Sequence, residues 1–128
     1  MKLTINNYET EVASTAELRR EMTAFASEAF REIWLTDENG PTLSALMNGN
    51  IGWLMYLDSG GDAGFSSRNP AFGGSKTATF EYRLSNGQRD VYPANWALPE
   101  ERVMRGLEHF LEHRSRAPFI HWHDDSEE

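Results

Sequence analysis

The chain has 128 residues, no cysteine, and a formal charge of -8 from 12 Lys and Arg against 20 Asp and Glu. That length suits one domain spanning residues 1–128, able to bury about 65–70% of its unfolded surface, and the missing cysteine excludes disulfides, thiol catalysis and Cys-ligated zinc or iron–sulfur centres. The acidity argues against direct nucleic-acid binding, which relies on Lys and Arg to neutralise phosphates; it fits either plain solubility or a basic protein partner.

Residues 1–7 lack the apolar run of a signal peptide, and no stretch approaches the roughly 18 apolar residues of a membrane span, so the expected setting is the cytoplasm with no membrane partner. Residues 2–6 alternate as a short strand, and residues 7–13 read as a polar connection. Ser14-Thr15-Ala16-Glu17 has the spacing of a capping box and predicts a helix start. Leu18, Met22, Phe25, Ala26, Ala29, Phe30 and Ile33 share one side of a helical wheel, which predicts an amphipathic helix of about five turns. Glu17, Glu21, Glu28 and Glu32 then line its border, either as a solvated flank softened by Arg19, Arg20 and Arg31 or as a rail for a basic partner.

Residues 37–41 are a turn by composition, and residues 42–47 read as a strand that reverses through Asn48-Gly49-Asn50. The return, residues 51–58, is apolar on both faces, the mark of a central strand covered on two sides. Gly52 within it signals a bulge or a close backbone approach. Residues 59–74 form a glycine-rich loop opened by Asp58 and Asp62 and carrying Phe65. It lacks the GxGxxG order and a following Lys-Ser/Thr pair, and a strand rather than a helix comes next, so it reads as a binding loop and not a phosphate cradle. Residues 76–84 alternate with Ala78, Phe80, Tyr82 and Leu84 on one face, Asn86-Gly87 is a hairpin signal, and residues 88–92 return.

Pro99 opens a second helix in which Val103, Met104, Leu107, Phe110 and Leu111 lie opposite Arg105, His109, Glu112 and His113. Glu100 and Glu101 suit its positive end. Arg114-Ser115-Arg116-Ala117-Pro118 stops it, and residues 119–123 alternate as a last strand with Ile120 and Trp122 on one face. The acidic tail, residues 124–128, is expected to be flexible. The fold class expected is α+β: a single antiparallel sheet of about five to six strands with two helices packed against it. Trp53, Met55, Phe80, Tyr82, Ile120 and Trp122 of that sheet are expected to meet Leu18, Met22, Phe25, Leu107 and Phe110.

His109 with His113 and His121 with His123 have chelating spacings, but the helical pair projects from a solvent face without a third ligand, so no metal and no cofactor is expected. No GxSxG, HExxH or deaminase-type zinc signature occurs, so no catalytic residue is assigned and the chain is not expected to be an enzyme. Trp34, Trp53, Trp96 and Trp122 could stack bases; apolar alternation assigns three of them to the core, and Trp96, in an irregular loop between two prolines, is also read as core. A small ligand-binding or enzymatic α+β domain using the loop 59–74 as a lid, or a structural subunit of a larger assembly, are the alternatives from other classes.

The Pro99-opened helix with Phe110-Leu111, the Arg116-Ala117-Pro118 step and the closing Ile120-His121-Trp122 resemble the end of the immunity proteins of bacterial polymorphic toxin systems, type one Imm family. Gly52-Trp53-Leu54, the glycine-rich run from Gly60 to Ser67 and Tyr92-Pro93-Ala94 extend the resemblance over roughly residues 43–124. It implies a non-enzymatic inhibitor in the cytoplasm of the toxin producer, monomeric when free, that binds one cognate toxin domain one-to-one. Many partners of such proteins are nucleic-acid deaminases, whose basic substrate cleft an acidic protein can occlude. The expected contact residues are Asp58, Asp62 and Phe65, then Asp124 and Asp125, with the glutamates from Glu17 to Glu32 next in line.

Overall fold

Strand alternation, not helix periodicity, governs most of the chain in the computed structural model, which describes residues 1–58 and 63–126. Strands β1 (Lys2–Ile5) and β2 (Tyr8–Glu11) pair antiparallel around Asn6 and Asn7, whose φ values are 47° and 74°. Two successive positive φ angles make a tight hairpin turn, and asparagine tolerates that conformation better than other side-chain-bearing residues. Residues 7–13, expected as a polar connection, are therefore largely a strand.

Helix α1 (Thr15–Ala24) begins at the capping box: Ser14 Oγ accepts the Glu17 N–H at 3.2 Å, and Glu17 Oε1 reaches back to the Ala13 N–H at 3.2 Å. It ends ten residues on, far short of the five turns expected. Residues Phe30–Thr36 form strand β3 instead, burying Arg31, Ile33 and Leu35 in strict alternation. A strand here pairs with β1 on one side and with β4 (Thr42–Asn48) on the other. That double ladder satisfies the backbone and buries Ile33 and Leu35 fully, which outweighs the helical spacing of Phe30 and Ile33. The acidic stripe disappears with the helix. Glu28 sits in the turn and accepts from Asn6 Nδ2 at 3.1 Å, and Glu32 points to the opposite face of the sheet, where it accepts from Ser85 Oγ at 2.7 Å.

β4 reverses into β5 (Ile51–Leu57) through Gly49, φ 60°, and Asn50, with Asn48 opposite Ile51. β6 (Phe65–Arg68), β9 (Leu98–Pro99) and β10 (His121–Asp124) complete an eight-stranded antiparallel sheet in the order β10-β6-β5-β4-β3-β1-β2, with β9 against the start of β5. The α+β class holds, with more strands than expected. β7 (Thr79–Arg83) and β8 (Arg89–Pro93) form a separate hairpin. Its turn puts Gly87 at φ 91° and donates the Gly87 N–H to the Leu84 carbonyl at 2.9 Å.

The hairpin lies on the opposite face of the sheet from the helices. Helices α1 and α2 (Glu100–His113) cover one face, where Leu3, Ile5, Leu18, Ile33, Leu35, Leu54, Leu107 and Phe110 are fully buried. On the other face Leu46, Trp53 and Tyr82 are buried, with Met55, Phe80, Tyr92 and Trp96 packed around them. Trp53, Met55, Phe80 and Tyr82 thus do not meet the helices as expected; Leu54 and Tyr56, on the alternate positions of β5, do. The expectation that β5 is covered on two sides holds. Of the two meanings of Gly52, close approach is the one realised. A Cβ there would collide with Met47 Sδ, lie 2.9 Å from the Leu46 carbonyl oxygen and 3.1 Å from Val103 Cγ2, while the ladder stays in register. Helix α2 ends on Arg114 in the left-handed region, φ 55°, with its N–H donated to the Phe110 carbonyl at 2.8 Å. Among the described residues no helix is long and apolar enough to cross a membrane.

Candidate functional site

β6 is a short strand that gathers residues distant in sequence. On one side Met55 and Tyr56 of β5 face Ser66 and Phe65; on the other, His121 to Asp124 run against Arg68 to Phe65. Where the β5–β6 ladder gives out, the buried Ser67 Oγ accepts the Leu54 N–H at 2.9 Å and replaces the missing backbone partner. Gly64 makes the entry to β6 possible: its φ is 79°, and a Cβ there would run into the Tyr56 carbonyl oxygen and lie 2.6 Å from Leu57 Cδ2. The Asp125 N–H closes the corner on the Gly64 carbonyl at 2.9 Å.

Pairing therefore sets Tyr56, Phe65 and Asp124 in one row across three strands, with Asp58 just past the end of β5. Each acid has a donor within the chain. Tyr56 Oη donates to Asp58 Oδ1 at 2.8 Å. The Ser126 hydroxyl and N–H donate to Asp124 Oδ1 at 2.6 and 3.0 Å, which holds that carboxyl below its ordinary range. Ser66 Oγ donates to Asp125 Oδ1 at 2.9 Å, with Arg68 Nη2 and His123 Nε2 each 3.9 Å from the same oxygen. The structure thus brings Asp58, Phe65, Asp124 and Asp125 to one corner. Asp62 lies outside the described residues.

Two arginines outside the expected contact residues stand among these acids. The Arg116 guanidinium stacks 3.6 Å above the Phe65 ring and 5.9 Å from Tyr56, and Arg68 stacks 3.8 Å above Trp96. Burial lowers the Arg68 pKa, with Asp125 opposing the shift. Trp96 is half-buried, stacked on Tyr92 at 5.6 Å, so it joins the second core on one side and carries Arg68 on the other. In sequence Arg116 reports a helix stop and Arg68 a residue in a loop; neither pattern names the ring it covers. Tyr56, Asp58, Arg116, Pro118 and Trp122 line an open groove beside the corner. The groove offers one carboxylate, Asp58, one guanidinium, Arg116, and the Tyr56 and Trp122 rings.

The histidines are arranged otherwise. His109 and His113 lie with ring centroids 4.4 Å apart on the outer face of α2, where burial first and then His113 lower the His109 pKa. His121 and His123 are exposed on the edge strand β10. Among the described residues no group of three His, Cys, Asp or Glu side chains is placed to hold a metal ion.

No curated protein matches the chain. The family described as Immunity protein Imm1 matches residues 6–124. That span takes in both helices, the β7–β8 hairpin and the whole β5–β6–β10 corner up to Asp124, and the chain belongs to the Imm1 immunity protein family.

Proposed function

We propose that this protein neutralises its cognate toxin by seating the corner around Phe65 in the basic substrate cleft of a nucleic-acid deaminase domain. A toxin-neutralising immunity role, and with it the binding of a toxin protein, comes with the family. The finer reading, a non-enzymatic inhibitor that occludes the cleft one-to-one in the cytoplasm of the producing cell, is ours. The observation that supports it is the row of Phe65 and Asp124 across β6 and β10, with Asp58 bonded to Tyr56 in the same row and Asp125 held on the adjacent Ser66, on a chain of net charge -8. A cleft that holds nucleic acid must present Lys and Arg to phosphates, and carboxylates can take the phosphates' place. Complementary charge also speeds encounter, an advantage for an inhibitor that must reach its target first. A contact of about 1,200–2,000 Å² is expected.

Charge reversal tests it. Asp58→Lys with Asp62→Lys, and separately Asp124→Lys, should slow association with the toxin by about tenfold at low ionic strength, with the deficit shrinking as salt rises. Circular dichroism establishes that the variants fold. Association rates and salt slopes equal to those of the parent in both variants would move the interface elsewhere. Survival of cells co-expressing the toxin tests the coarser role.

A further inference from the structure

Arg31 is the one buried charged residue among the described residues, 4% exposed. The alternation of β3 puts it on the helix-covered face with Ile33 and Leu35, opposite Met47 in the ladder. Its Nη2 donates to the Gly49 carbonyl at 2.7 Å, whereas its Nε is buried with no acceptor. No carboxylate forms an ion pair with it among the described residues. A buried guanidinium without a counter-charge is costly, and an N–H hidden from water without an acceptor adds to that cost.

Beside Arg31 is a cavity of about 140 Å³ between α1, the first turn of α2 and the sheet, lined also by Met22, Thr23, Ala26 and Glu100. It has room for several water molecules, and so for a carboxylate or phosphate group. The head of α2 adjoins it. Pro99 supplies no side-chain cap there, and of the first-turn N–H groups that of Glu100 is donated to the Asn50 carbonyl at 2.9 Å. Helix starts of this kind favour negative charge. Arg19 and Glu101 also line the cavity but are engaged with each other at 2.8 Å, and Arg19 with Glu108 at 2.8 Å. Glu100 is the lining carboxylate outside any ion pair among the described residues.

We infer that this cavity is a binding site for a compact oxyanion, a carboxylate or a phosphate group, with Arg31 as its charged donor and the first turn of α2 beside it. The oxyanion is either a free ion or an acidic side chain of the bound toxin; the second source rests on the immunity reading, the first does not.

Inorganic phosphate is the probe for the free protein, with sodium chloride matching ionic strength. The Arg31 Nε–H resonance should shift saturably with phosphate, and Tm should rise by about 5 °C at ten times Kd. Arg31→Met, which keeps the stem and removes the charge, should abolish the Tm response. If phosphate is without effect but Arg31→Met, with unchanged circular dichroism and a Tm at or above that of the parent, binds the toxin at least tenfold more weakly, the toxin supplies the carboxylate. No response in either arm overturns the inference, as does phosphate binding that emerges only in Glu100→Gln, because Glu100 would then be the internal counter-ion. Should Arg31→Met fail to fold, the Nε–H titration of the parent protein still decides. Should no toxin complex form at all, the immunity reading fails while the phosphate arm stands.

Discussion

Trp53 is the hinge of the second core, and two substitutions there should behave very differently. Its side chain is 8% exposed, stacks on Tyr92 at 4.7 Å and packs with the fully buried Tyr82. Trp53→Ala empties that space between sheet and hairpin and should cost about 3–5 kcal/mol, a large share of a typical domain stability of about 5–15 kcal/mol. With an m-value of about 2 kcal/mol/M, the urea midpoint falls by about 1.5–2.5 M. Trp53→Phe should be far milder. The smaller ring forfeits about 1–2 kcal/mol of burial, but the Trp53 indole N–H is buried with no acceptor, and releasing such a group recovers about 1–3 kcal/mol. The two terms offset, leaving a net change between about 1 kcal/mol lost and about 2 kcal/mol gained. Urea unfolding followed by far-ultraviolet circular dichroism measures both, since removing an indole alters fluorescence. A Phe variant as unstable as the Ala variant would refute the unpaired N–H as a significant penalty, and an Ala variant of unchanged stability would refute the hairpin packing as a stabilising layer.

Gly64→Ala should cost more than about 2 kcal/mol, because a side chain at positive φ is strained and the new methyl meets backbone as well as Leu57; hydrogen exchange should show the loss concentrated in β6 and β10, and uniform protection would count against the close contact. Ser14→Ala removes the acceptor of the Glu17 N–H and should cost about 1 kcal/mol, a fall in Tm of about 4 °C, whereas no change would mean the cap is dispensable. Glu32 should make stability acid-sensitive: burial pushes its pKa up, but hydrogen bonds from the Ser85 N–H and hydroxyl and from Trp34 Nε1 outweigh burial and hold it below 4.5. A depressed carboxylate stabilises the fold above its ordinary pKa and loses that contribution as pH falls through the lowered value, so the parent should lose its advantage over Glu32→Gln below about pH 4.5. An advantage independent of pH between 3 and 7 would rule that ionisation out.

Local chemistry was legible wherever a residue's effect is confined to its own few neighbours. The Ser14–Glu17 cap, the Gly49 and Gly87 turns, the Pro99 start of α2 and the two-sided burial of β5 all follow from propensities and spacing within about one turn or one strand. So did the family, since the Pro99 helix, the Arg116-Ala117-Pro118 step and the Trp122 strand are contiguous motifs. What failed was the choice between structures the same residues can serve: Phe30 and Ile33 fit a helical face, yet β1 and β4 offer Phe30–Thr36 two ladders that a helix could not use. Likewise, alternation shows that Phe80 and Tyr82 share a face but not which layer that face meets, and the hairpin went to the side of the sheet away from the helices.

The corner divides in the same way. Asp58, Phe65, Asp124 and Asp125 could be singled out from charge and loop composition alone, but their meeting depends on β6 pairing with β10 across more than fifty residues of sequence. The stacking of Arg116 on Phe65 and of Arg68 on Trp96, and the burial of Arg31 beneath two helices, were invisible for the same reason. Composition, caps, turns and periodic faces are short-range properties written along the chain. Strand order, the side on which a layer docks and the partners of a buried charge are settled by long-range pairing, where the free energy of whole ladders and packed faces overrules the preference of any single segment.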